Sequence, residues 1–125
     1  MTRMITLPEN WHDLNTERRL VAEGWYTVQV EDVDLRPDGR IHVALSILDE
    51  GEFATWSIHE SFSLDSDGGA RAFKRFIEAI SVQPSGLELD PGACKHKVLR
   101  VKTRHKTDEH GDTWANVVAH APDEH

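Results

Sequence analysis

Apolar residues in this chain recur at every second position, switch once to helical spacing, and then return to every second position. Tyr26, Val28 and Val30 share one face of the stretch 24–31. Ile41, Val43, Leu45 and Ile47 do the same over 41–47, with His42, Ala44 and Ser46 on the other face. Over about 53–64, Trp56, Ile58, Phe62 and Leu64 alternate with polar residues. Each stretch has the period of a half-buried strand. Phe73, Phe76, Ile77 and Ile80 then recur at helical spacing, with Arg71, Lys74, Arg75 and Glu78 opposite, so an amphipathic helix is predicted over 69–81. Two more alternating stretches follow. Leu99 and Val101 face one way and Val98, Arg100, Lys102 and Arg104 the other; Trp114, Val117 and Val118 then mark a last strand over 113–121.

The punctuation agrees with this order. Arg36-Pro37-Asp38-Gly39, Asp49-Glu50-Gly51-Glu52 and Thr107–Asp112 are turn chemistry, and Asp65-Ser66-Asp67-Gly68-Gly69 can cap the helix. Pro84-Ser85-Gly86 ends the helix, and an irregular connection leads through Pro91-Gly92. Residues 9–22 form either a short helix, carrying Trp11, Leu14, Leu20 and Val21 with Asn10 or Asp13 as a cap, or an irregular arm. Glu60 falls on the apolar side of the third strand. It therefore requires a partner, a bulge, or a place at the sheet's end.

The expected division is an arm or short helix over 1–22, a domain over 23–121 and a short acidic tail over 122–125. Strand, strand, strand, helix, strand, strand is the order of the OB-fold, so the fold class expected is all-β with one helix, a five-stranded OB-fold-like barrel. A small α+β sandwich has the same element order. A chain of 125 residues holds one domain with a single core. No apolar run reaches the length of a membrane span, and the N-terminus has no signal-peptide core. The lone Cys94 excludes an internal disulfide, which makes a reducing cytoplasm the expected compartment.

Charge is laid out unevenly. Six of the 14 lysines and arginines fall between Lys95 and Lys106 with no acid among them; the other 8 stand against 22 acids, a balance of −14. A chain of net charge −8 repels polyanions at long range, yet salt screens charge beyond roughly 8–10 Å, so a local groove still holds phosphate. The alternative is a solvated strand face that keeps an edge from aggregating. The aromatics bear on the choice, because single strands are bound by a positive groove paired with rings on which bases stack. Trp114 follows the turn that ends the basic strand, and Trp56 lies on the third strand. Either ring has a core role as its alternative.

Other chemistry has little basis here. His12, His42, His59, His96, His105, His110, His120 and His125 are scattered without ligand spacing, and there is no second cysteine. Asp65-Ser66-Asp67-Gly68 lacks the later ligands of a calcium loop. No nucleophile elbow, phosphate loop or dinucleotide fingerprint occurs. The expectation is a non-enzymatic protein with no catalytic residue, metal or cofactor.

Several segments resemble a family of OB-fold single-stranded DNA-binding proteins of phages and prophages, often encoded near recombination genes. They are Glu23-Gly24-Trp25-Tyr26, Leu45-Ser46-Ile47-Leu48-Asp49, Gly51-Glu52-Phe53-Ala54, Phe62-Ser63-Leu64, the helical Ala72, Phe76, Ala79 and Ile80, and Asn116-Val117-Val118, within 23–121. The chain departs from that pattern at Thr55-Trp56, where a glycine and a basic residue are expected. The resemblance implies sequence-independent binding of single-stranded DNA in phage-type replication or recombination, in the host cytoplasm, with recombination or replication proteins as further partners and a homo-oligomer as an open state. The residues expected to bind are Arg36 and Arg40 in the turn between the first two strands, Arg100, Lys102, Arg104 and Lys106 as phosphate contacts, and Trp114 and Trp56 as stacking rings. The competing reading is a protein-interaction or assembly module on the same barrel. Charges aligned with a ring in one groove favour nucleic acid, whereas scattered charge beside an apolar edge favours protein contact.

Overall fold

A computed structural model describes residues 3–13 and 20–123. Leu14, expected in the N-terminal helix, and Glu124 and His125 of the tail lie outside the described residues. The strands are β1 (Gly24–Leu35), β2 (Arg40–Ile47), β3 (Ser57–Ser63), β4 (Val98–Thr107) and β5 (Thr113–Pro122), and the helix α1 (Asp67–Ala79) lies between β3 and β4 in the chain. Short 3-10 turns occur at Trp11–Asp13 and Pro91–Cys94. The strands form one antiparallel sheet in the order β3-β2-β1-β4-β5. The edge strands β3 and β5 are not hydrogen-bonded to each other, so the sheet is open. No described helix is long and apolar enough to cross a membrane.

The long β1 is shared by both halves of the sheet. Gly24–Gln29 pairs with β4 and Val28–Leu35 with β2, with a register shift between Val30 and Asp32. That shift turns Val33 rather than Asp32 into the core, where Val28, Val30, Val43, Leu45, Leu99 and Val101 are fully buried. An unshifted strand would have driven the Asp32 carboxylate inward at a large desolvation penalty.

Helix α1 crosses the open side of the sheet and packs on both edge strands. Phe73 and Phe76 meet Phe62 of β3 at ring separations of 5.2 and 5.8 Å, and Phe76 meets His120 of β5 at 6.1 Å. Phe73, Phe76, Ile77 and Ile80 are all buried, as their spacing predicts. The helix begins two residues before the expected start because Ser66 is the cap, its Oγ accepting from the Gly69 N–H at 3.1 Å. It stops at Ala79 because Ser81 takes a positive φ of 59°.

The third strand is shorter than its alternation suggests. The segment 53–55 turns instead, with Thr55 at φ 68° and the Trp56 N–H donating to the Phe53 carbonyl at 3.1 Å. Phe53 and Trp56 pack edge to face at 5.0 Å against the core, so a turn reproduces the spacing of a strand. Leu64, expected inward, lies past the end of β3 and is half exposed.

Candidate nucleic-acid interface

The side chains of β4 divide cleanly between its two faces. Leu99, Val101 and Thr103 point inward and are fully buried, with the Thr103 hydroxyl satisfied by the Ala22 and Gly24 carbonyls at 3.1 and 3.3 Å. By strand alternation, Arg100, Lys102, Arg104 and Lys106 share the outer face. Their cross-strand neighbours on β1 are Thr27 opposite Arg100 and Trp25 opposite Lys102. On β5 they are Ala121, Ala119, Asn116 and Trp114, opposite Arg100, Lys102, Arg104 and Lys106 in turn. None of these facing positions is acidic, although the Glu23 carboxylate accepts from the His105 N–H at 2.9 Å between Arg104 and Lys106, and Lys102 is partly buried.

Two tryptophans flank this row. Trp114 is half-buried and directly opposite Lys106 on β5. Trp25 is 42% exposed on β1, and the Arg100 guanidinium lies 5.2 Å from its ring centroid. A cation held over an indole face in this way contributes about 0.5–1 kcal/mol at an exposed site, and it presents a flat stack to solvent. Trp25 was not among the residues the sequence singled out. Its signal was present in the alternation that sets it opposite the Tyr26 face, but only the β1–β4 register reveals its cationic neighbours.

The other expected contacts lie elsewhere. Arg36 and Arg40 flank the β1–β2 turn, at the end of β1 remote from its pairing with β4. Arg36 is held 3.2 Å from Asp34, and Arg40 sits opposite Ser63 of β3. Trp56 packs on Phe53 and lines a cleft of about 250 Å³ between β3 and β5, which Trp114 also lines. The structure therefore gathers Arg100, Lys102, Arg104, Lys106 and Trp114 on one surface, and leaves Arg36, Arg40 and Trp56 off it.

Glu60 has the partner its position demanded. His120 Nε2 lies 3.0 Å from each carboxylate oxygen, with the two side chains only 6% and 8% exposed. This contact ties β5 to β3 across the open edge of the sheet. His105 Nε2 contacts the Val21 carbonyl at 2.8 Å, so this histidine too has a structural partner. Among the described residues, no group of three or more His, Cys, Asp or Glu side chains is placed to hold a metal ion. Burial pushes the Cys94 thiol pKa up, which disfavours the thiolate a nucleophile requires. No protein-family model and no curated protein matches this chain.

Proposed function

We propose that this protein binds single-stranded DNA without sequence preference, on the outer face of β4 and its two neighbours. The observation that carries this reading is the alignment of Arg100, Lys102, Arg104 and Lys106 between Trp25 and Trp114, with no acid at the facing positions. Phosphates lie along the cations, and bases turn onto the flanking rings. Stacking contributes about 1–3 kcal/mol per base and tolerates any base, because each has a π-face. Acids beyond roughly 8–10 Å are screened in physiological salt, so the negative charge that acts on the row is that of Glu23, whose carboxylate accepts from the His105 N–H at 2.9 Å, and of the turn after Lys106 with Asp108, Glu109 and Asp112.

We read the open sheet and its helix as an OB-type barrel, a fold that fits the same function. The element order, the β1 strand shared between β2 and β4, and the helix spanning the gap between β3 and β5 agree with a partly open five-stranded barrel, in which the Glu60–His120 contact ties the two edges. A role in phage-type replication or recombination, in a host cytoplasm, rests on the family resemblance.

Titrating a fluorescently labelled oligo-dT at two salt concentrations tests the proposal. Four neutralised phosphates give log K against log salt a slope of about −3. Replacing Arg100, Lys102 and Arg104 with Ser should flatten that slope and weaken all sequences alike. Failure of the wild-type protein to bind oligo-dT at low salt would overturn the proposal.

A second reading, a protein-interaction module, is favoured by one feature on another side of the molecule. An apolar groove of about 760 Å³ runs beside α1, lined by Leu64, Phe73, Ile77, Val82, Leu87 and Leu89. Loss of a partner on mutation of Leu87, with oligo-dT binding absent, would establish that reading instead.

A further inference from the structure

The segment after α1 closes on itself in a tight turn. The Ser85 N–H donates to the Glu88 carbonyl at 2.8 Å, the Glu88 N–H donates to the Ser85 carbonyl at 2.9 Å, and Gly86 takes a φ of 60°. Glycine at the first central position suits the two-residue loops that join antiparallel segments. The turn holds Leu87 out at 103% exposure, on the border of the apolar groove of about 760 Å³ that runs beside α1. A lone exposed leucine is ordinary. This one continues an apolar surface made by the half-exposed Leu64 and, beneath it, by Phe73 and Ile77. One surface thus carries both a projecting apolar side chain and a recess lined to receive one.

Helix α1 adds charge to the same surface. Phe73 and Ile77 are four residues apart, as are Lys74 and Glu78, so all four lie along one side of the helix, and all four line the groove. Lys74 and Glu78 are exposed, and among the described residues neither forms an ion pair. Opposite charges one helical turn apart are matched by the same two charges in reverse order. A second α1 crossing antiparallel, with a two-fold axis level with Phe76, supplies that order: Lys74 of each copy faces Glu78 of the other. We propose that this groove is the contact between two copies of this chain, related by a two-fold axis across α1, with Leu87 of each copy seated in the groove of the other. The same patch serves both copies, so the contact closes at a dimer and does not propagate. It uses none of the residues of the β4 interface.

Sedimentation equilibrium of the full chain, from micromolar to millimolar concentration at physiological salt, tests the proposal. Twice the mass of one chain is expected at the upper end. Leu87→Ser should leave the single chain folded, because Leu87 is fully exposed, and should weaken the dimer about a hundredfold as two leucines per dimer return to water. Glu78→Lys sets like charges across the axis and should weaken it about tenfold. Lys74→Glu combined with Glu78→Lys reverses both signs and should restore the wild-type affinity. The charges of a different protein would not reverse with the substitution, so restoration identifies a second copy as the occupant. Far-UV circular dichroism checks the fold of each variant. A single-chain mass at millimolar concentration would overturn the proposal and leave the groove to another protein. A dimer that Leu87→Ser leaves intact, or that the double substitution fails to restore, overturns it as well. Oligo-dT binding by a protein that stays monomeric removes the dimer and leaves the β4 interface standing; a dimer that does not bind oligo-dT does the converse.

Discussion

Glu60 shows how one residue can carry a structural constraint that is visible in sequence while its solution is not. A carboxylate on an apolar face is destabilising unless paired, and its partner stands 60 positions further along the chain. His120→Ala leaves Glu60 buried without its donor, which should lower stability by about 3–5 kcal/mol. Replacing both residues with apolar ones of similar volume, Glu60→Met with His120→Phe, should restore most of the loss. Urea unfolding of the single and double variants measures both effects. At Trp25 the opposite balance applies. Trp25 is 42% exposed and its Arg100 contact contributes only about 0.5–1 kcal/mol, so Trp25→Ala should lower the melting temperature by no more than a few degrees while weakening oligo-dT by about 1–3 kcal/mol. Trp114 is half-buried, and Trp114→Ala should reduce both stability and affinity; Trp114→Phe should recover most of the binding. A Trp114→Ala protein with normal affinity in its folded fraction would place that ring in a purely structural role.

Among the elements, α1 determines whether the open sheet has a core at all. Phe76 is fully buried between Phe62, Phe73 and His120, and Phe76→Ala should destabilise the fold by about 3–5 kcal/mol through lost transfer energy and a residual cavity. The helix is seated by Gly69, where an added Cβ would collide with the Ser63 carbonyl oxygen at the end of β3. That contact is with backbone, which cannot swing aside as a side chain does. Gly69→Ala should therefore lower the melting temperature even though alanine favours helix, whereas Gly68→Ala, with open space around it, should raise the melting temperature or leave it unchanged. Thermal melts of the two variants separate close approach from propensity.

At the scale of the whole molecule, electrostatics are divided between a long-range acidic field and a short-range basic face. If the β4 face binds DNA as proposed, raising salt screens the repulsion from the acids and also weakens the phosphate contacts, and the second effect should dominate because counterion release governs affinity. Arg36 and Arg40 lie at the far end of β1, more than a screening length along the strand from the β4 row. Arg36→Ser with Arg40→Ser should accordingly leave the affinity for a short oligo-dT within about twofold of wild type at physiological salt. A larger effect, appearing only with longer oligonucleotides, would show that a bound strand extends from the β4 face to the β1–β2 turn.

The period-two and helical spacings were sufficient to count the five strands, though not to bound β3, and to give the buried face of α1 and the division of β4 into a core side and a cationic side. These follow from local geometry, since side chains alternate along a strand and repeat about every fourth residue on a helix. They also located Arg100, Lys102, Arg104 and Lys106 as one row, because those four lie on a single strand. Trp114 was expected beside that row because a short turn joins its strand to β4, whereas Trp25 and Asn116 became neighbours of the row only through the pairing of β1 and β5 with β4. Arg36 and Arg40 separated from it for the same reason, since β1 passes from β4 to β2 along its length. The shortened β3 escaped the periodicity because a turn buried Phe53 and Trp56 at strand-like spacing. Spacing along the chain determines which face a residue takes. Which residues meet across that face is decided by strand order and register, which are set by contacts between segments distant in sequence.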